Sequence, residues 1–150
     1  MEEKSNTSQR VFIDSNYFIA LANPKDSLHS EAMRIAPFLE GGDIEIVLSD
    51  YIFLEVVTVI SQRVGKRSAL AMGRKLRSTP GITLIKIDAQ THNSAWKIFQ
   101  EVIHKNISFV DCSIIALMRD EDIYKLLTFD MDDFNKLRRY YNFDFYGRDE

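Results

Sequence analysis

The sequence predicts an α/β fold, a three-layer α/β/α arrangement around a mainly parallel sheet of about five strands. Short apolar, β-branched runs at 11–13, 44–48, 82–87, 125–129 and 143–146 alternate with stretches of helical periodicity. Strands separated by helices pair in parallel, with helices on both faces of the sheet. The 150 residues, 45% hydrophobic and 27% charged, suit one domain with one core. No internal repeat, low-complexity tract or linker divides them.

Residues 1–10 are polar, without the apolar stretch of a signal peptide, and read as a flexible leader to a single domain over 11–150. Residues 11–13 form a buried strand ending at Asp14. A helix over 16–22 is broken by Asn23-Pro24, and the next, over 27–39, by Gly41-Gly42. After the strand at 44–48, Ser49 opens a long helix to about residue 64, and Gly65 separates it from a basic helix ending at Arg77. Pro80-Gly81 is a turn before the strand 82–87, which is rich in branched residues. An amphipathic helix over 88–104 carries Trp96, Ile98 and Phe99, and another runs over 110–119. The strand 125–129, a short helix over 132–140 and an edge strand over 143–146 complete the order. The aromatic run Tyr140-Tyr141-Asn142-Phe143 is expected in the core.

Several classes of protein are disfavoured. No apolar run approaches the ~20 residues of a membrane span. Cys112 is the only cysteine, so one chain holds neither a disulfide framework nor a thiolate metal site, and a reducing, cytoplasmic location is expected. Its neighbours Ile114-Ile115-Ala116-Leu117 mark it as a core residue. The net charge of −3 argues against a general coat for polyanions. The charge is nonetheless uneven: residues 56–87 contain no acid but do contain Arg63, Lys66, Arg67, Arg74, Lys75, Arg77 and Lys86. Lys136, Arg138 and Arg139 form a second cluster. These stripes are either phosphate contacts or solvated helix faces.

In parallel α/β sheets, ligands bind beyond the carboxyl ends of the strands. Asp14 directly follows the first strand, Asp130 the fourth, and Asp111 opens a helix expected to start at that same edge. Each could equally serve as a helix cap: Ser108-x-x-Asp111 has capping-box spacing, and Asp130 with Asp133 could cap the next helix. Capping and metal binding are compatible. Glu55 is harder to explain, because it sits among Tyr51, Ile52, Thr58 and Val59 on an apolar helix, where it should be at least partly buried. A buried carboxylate needs a cation or hydrogen bonds, and the basic alternatives, Arg34 and Lys97, are distant in sequence. A hard divalent ion, Mg²⁺ or Mn²⁺, suits such carboxylates, whereas scattered His29, His92 and His104 disfavour zinc.

In their order and spacing, these residues resemble the PIN-domain family: Asp14 with Asn16, Glu55 inside an apolar helix, Asp111 before Ile114-Ile115-Ala116, and Thr128-Phe129-Asp130 near the end. The likeness spans residues 11–146, and length and ending are similar to the VapC-type toxins within it. It implies an RNA endonuclease using Mg²⁺ or Mn²⁺, a homodimer, and a cognate antitoxin protein that covers the acidic pocket. It further implies that Asp14, Glu55, Asp111 and Asp130 hold one or two ions, leaving 5′-phosphate and 3′-hydroxyl products. Asn16, Thr128, Ser15 and Ser113 would orient those ligands, with turn and cap hydrogen bonding as the alternative for the serines. Whether Asp132 or Asp133 supplements Asp130 stays open. The competing readings are a PIN-fold module that binds RNA or protein without cutting, and an aspartate-based phosphatase or receiver.

Overall fold

The computed structural model describes residues 9–147. Five parallel strands, β1 (Gln9–Ile13), β2 (Ile44–Ser49), β3 (Ile82–Ile85), β4 (Lys125–Leu127) and β5 (Asp144–Phe145), form one sheet in the order β3-β2-β1-β4-β5. Every pairing is parallel, so all strands end at one edge. Helices α1 (Ser15–Ala22) and α2 (His29–Gly41) join β1 to β2, and α3 (Asp50–Arg63) and α4 (Lys66–Ser78) join β2 to β3. The chain then crosses back through α5 (Ala89–Glu101) and α6 (Phe109–Asp120) to β4, and α7 (Met131–Arg138) leads to β5. Right-handed crossovers put α1–α4 on one face and α5–α7 on the other. The packing agrees: α1 touches α2 and α3, while α5 packs along α6. Strand order reverses between β1 and β4, and that switch point is where a parallel sheet opens a crevice.

β1 is central because its sequence allows it. Val11, Phe12 and Ile13 are fully buried and meet helices on both faces. The strand begins at Gln9, ahead of the expected Val11, because Gln9 N–H donates to Asp43 O at 2.8 Å and continues the ladder with β2. The rest of the expected leader, residues 1–8, lies outside the described residues. α2 starts at His29 rather than near Ser27, because Asp26 accepts the Leu28 N–H (2.9 Å) in a turn that precedes the helix. The terminal aromatic run divides. Phe143 is buried against Phe134 and Phe145 with ring centroids 6.3 and 5.8 Å apart, but Tyr140 is 75% exposed, contrary to expectation. α7 ends at Arg138, and Tyr140 sits in the following turn outside the helix's apolar stripe.

One backbone position is specific to glycine. Gly65, between α3 and α4, has φ 141° and ψ 168°, a region that side chains disfavour, although nothing lies within 4 Å of an added Cβ. Gly65→Ala is therefore expected to cost on the order of 1–3 kcal/mol through backbone strain alone, read as a lower midpoint in urea with an unchanged slope. Among the described residues no helix is long and apolar enough to cross a membrane.

Candidate active site

Asp14 anchors the crevice. Its N–H donates to Leu127 O at 2.9 Å, extending the pairing of β1 with β4 by one residue and fixing the side chain at the switch point. The carboxylate is 5% exposed. Oδ1 accepts the Ser15 N–H at 2.8 Å and so caps α1, while Oδ2 accepts the Thr128 hydroxyl at 2.9 Å. Asn16 ties the two junctions together: its Nδ2 lies 3.3 Å from Thr128 Oγ1, and its Oδ1 accepts the Phe129 N–H at 3.1 Å. Thr128 Oγ1 also accepts the Asp130 N–H at 3.0 Å. The aspartate therefore both caps a helix and faces the crevice. Burial, and next the nearby charge of Asp111, push its pKa up to about 7, against the hydrogen bonds from Thr128 and Ser15; Glu55 raises it further.

Asp111 forms the expected capping box with Ser108: Asp111 N–H donates to Ser108 Oγ (3.1 Å), and Asp111 Oδ2 accepts the Ser108 N–H (3.0 Å). Burial pushes this carboxyl up to about 6 against those bonds, and Asp130 and Asp133 add to the rise. Asp130 occupies the N-cap position of α7, as the capping reading has it, without a close side-chain cap hydrogen bond. Its pKa is raised by burial first and by the charge of Asp133 next, against the Asp133 backbone N–H, which lowers it. Asp111, Asp130 and Asp133 each present a carboxylate oxygen, all within 4.8 Å of one another. Lys136 is the one ammonium paired with this trio among the described residues, at 3.4 Å from Asp133.

Two expectations need correction. Glu55 is exposed, because the apolar run of α3 is covered on one side only: Ile52 and Val56 are fully buried, while Leu54 is 66% exposed. Hydrogen bonding, and not burial, sets its place, with Ser15 Oγ donating to Glu55 Oε1 at 2.7 Å and drawing it towards Asp14. No salt bridge to Glu55 exists among the described residues; Arg34 pairs with Glu31 on α2. Ser113 is buried, and its hydroxyl bonds the Val110 carbonyl of its own helix at 2.5 Å, so it serves α6 and orients no carboxylate.

The basic stripe stands apart from these acids. Lys75 reaches Glu40 at 3.5 Å, and Arg77 lies over the Phe53 ring at 5.6 Å. Arg63, Lys66, Arg67 and Arg74 are exposed, and none is ion-paired with the acidic cluster among the described residues. Asp133 is the member that sequence reasoning left open. The readable signal was its position three residues after Asp130, on one helical face.

Hard, oxygen-only donors from four segments, two of them (Asp14 and Asp111) with pKa values raised by burial first and by neighbouring acids in addition, fit a hard divalent cation. A cation is also what would relieve their repulsion. Thr128→Val removes the hydroxyl that orients Asp14 and Asp130 while keeping the side-chain shape. It is expected to weaken divalent-ion affinity by roughly 10- to 100-fold, measured by calorimetric titration.

The PIN domain family model matches residues 11–140. The 23S rRNA-specific endonuclease VapC20 of Mycobacterium tuberculosis is 26% identical over 122 residues, covering 81% of this chain and 90% of that protein. The crystal structure of the same organism's VapC20, a Sarcin-Ricin loop cleaving toxin, is similar with a TM-score of 0.75 at 25% identity, covering 84% of this chain and 94% of that one. A toxin-antitoxin complex from Klebsiella pneumoniae shares the fold at 19% identity, with a TM-score of 0.58 and coverage of 83% and 89%.

Proposed function

Because the chain belongs to the PIN-domain family, we propose that it is a metal-dependent endoribonuclease, the toxin of a toxin–antitoxin pair, whose acidic crevice holds Mg²⁺ or Mn²⁺. The observation that carries this reading is the meeting of Asp14, Glu55, Asp111, Asp130 and Asp133 at the carboxyl edge, with Lys136 the one lysine paired to them among the described residues. Asp111, Asp130 and Asp133, with Asp14 and Glu55 beside them, would hold a divalent ion, which would supply charge against the phosphodiester and acidify water.

The chain's own residues prepare that site. Thr128 and Asn16 hold Asp14 in one orientation, and Ser15 brings Glu55 to it from the opposite wall. The capping box fixes Asp111, so α6 cannot rotate its carboxylate away without losing its first turn. Hydrolysis forms a bond from the water oxygen to phosphorus while the bond to the 3′ oxygen breaks. The products are a 5′-phosphate and a 3′-hydroxyl.

An antitoxin is proposed from the likeness to toxin–antitoxin assemblies. Apolar side chains such as Phe38, 63% exposed, and Leu54, 66% exposed, offer surface to that protein or to a second copy in a homodimer. Incubating the protein with labelled RNA and Mg²⁺, Mn²⁺ or EDTA tests the nuclease reading. Fragments that need metal and carry 5′-phosphates support it. Phosphate release from small esters alone would indicate a phosphatase, and binding without fragments a non-catalytic module.

A further inference from the structure

A row of aromatic side chains borders this crevice without belonging to it. Tyr51 stands one helical turn before Glu55 on α3, and its hydroxyl lies 2.6 Å from Nδ1 of His92 on α5. The His92 ring packs on Phe109 with centroids 5.2 Å apart, and Phe109 precedes Asp111 by two residues on α6. Phe109 also meets Trp96 and Phe99 at 6.2 and 6.0 Å, and those two rings stack with 25° between their planes. The ledge is continuous. One end is a turn away from Glu55, and the ring at its centre leads directly into Asp111.

Tyr51 and Phe109 are half-buried against the core, but packing of the fold does not require the three rings of α5. α5 turns Thr91, Ala95 and Ile98 inward, while Trp96 is 51% exposed, Phe99 is 38% exposed and His92 faces solvent. From residue 89 to residue 100 the helix carries no acid, and its one charged side chain is Lys97, beside Trp96. The acid that ends α5, Glu101, lies beyond the rings. Planar, open, pre-stacked rings with a cation alongside suit a nucleobase and its phosphate, since every base offers a π face. A base inside a duplex has both faces already covered by its neighbours.

We propose that the ledge of Tyr51, His92, Trp96, Phe99 and Phe109 stacks an unpaired nucleobase next to the bond to be cut. Its placement beside the reacting phosphate rests on the endoribonuclease reading; the stacking itself does not.

Trp96 is the chain's only tryptophan, so its fluorescence reports on the ledge directly. Asp14→Asn protein, which keeps the RNA whole, is titrated in Mg²⁺ with a short single-stranded RNA and with a blunt duplex of the same sequence. Saturable quenching by the single strand and little by the duplex is expected. In the same background, Trp96→Ala and Phe99→Ala should each weaken binding of a labelled single strand by roughly tenfold or more in anisotropy. Trp96→Tyr should restore most of it, with melting temperatures unchanged because these rings are half open. Equal quenching by both RNAs, or none, overturns the inference. So does a Trp96→Ala protein that sediments as a smaller species and loses RNA affinity only to that extent, since the ledge would then join two copies of the chain. Wild-type cleavage without quenching defeats the ledge alone. Quenching without cleavage in any metal defeats the nuclease reading and leaves the ledge standing.

Discussion

Asp14→Asn is expected to lower kcat/KM for RNA by at least about 10³-fold, equivalent to about 4 kcal/mol of transition-state stabilisation, while making the metal-free protein no less stable at pH 8. The two effects have one origin. The carboxylate is nearly sealed from solvent and lies in the fields of Asp111 and Glu55, which raise its pKa from 3.8 to about 7. A raised folded-state pKa means that the fold favours the protonated acid. That contribution is complete below pH 3.8 and is lost as pH rises through about 7. At pH 8 the wild-type chain carries a buried charge that Asn lacks. The gain on substitution has a ceiling of about 4 kcal/mol, reduced because an amide donor would confront the Thr128 and Asn16 donors that now meet Asp14 Oδ2. Gel assays of labelled RNA beside thermal melts in EDTA measure both. A variant that melts several degrees lower yet still cuts RNA would exclude Asp14 from the chemistry.

The second large effect is a coupling of protons, metal and stability in the unmodified protein. Asp14 is raised to about 7 and Asp111 to about 6, both from 3.8, so metal-free stability should fall across the window between 3.8 and about 7. Millimolar Mg²⁺ or Mn²⁺ should recover it at pH 8 and do much less at pH 5, where protons already occupy the carboxylates. An ion at ~100 times its Kd adds about 2.7 kcal/mol, or roughly 5–10 °C in a domain of this size. Calorimetric scans at pH 5 and pH 8, with and without the ion, give the four values required. A midpoint indifferent to both pH and metal would show that these acids do not form one electrostatic unit.

The sheet was legible in the sequence because burial on both faces makes residues 11–13 of β1 and 46–48 of β2 unbroken apolar runs, and glycine or proline punctuates the helices that follow. The acidic crevice was legible wherever a carboxylate coincides with a strand end: Asp14 and Asp130 were chosen by position, and Thr128 through the family resemblance. Asp111 was chosen because it opens a helix expected at that edge, and its capping box, the competing reading, is present and compatible with a place in the acidic cluster. Glu55 was found for the wrong reason. The apolar sequence around it implies at least partial burial, but α3 leaves one apolar side open, and no pattern within a single chain reveals what lies against an exterior face. Ser113 failed for a related reason: a hydroxyl near the crevice in sequence turned to the nearest carbonyl of its own helix. Asp133 could have been chosen from its spacing, but rotation about the α7 axis relative to β4 is a property of tertiary packing.

The placement of β1 between β2 and β4 also bears on how the protein is made. β1 leaves the ribosome well before β4 and cannot complete its pairing until β4 arrives, and the Asp14 N–H to Leu127 O bond closes only then. Every translation intermediate that lacks residues up to Asp133 therefore lacks a closed acidic crevice. Under the proposed activity, a nascent chain that has not yet delivered Asp133 lacks the full set of acids with which to cut the message from which it is being read.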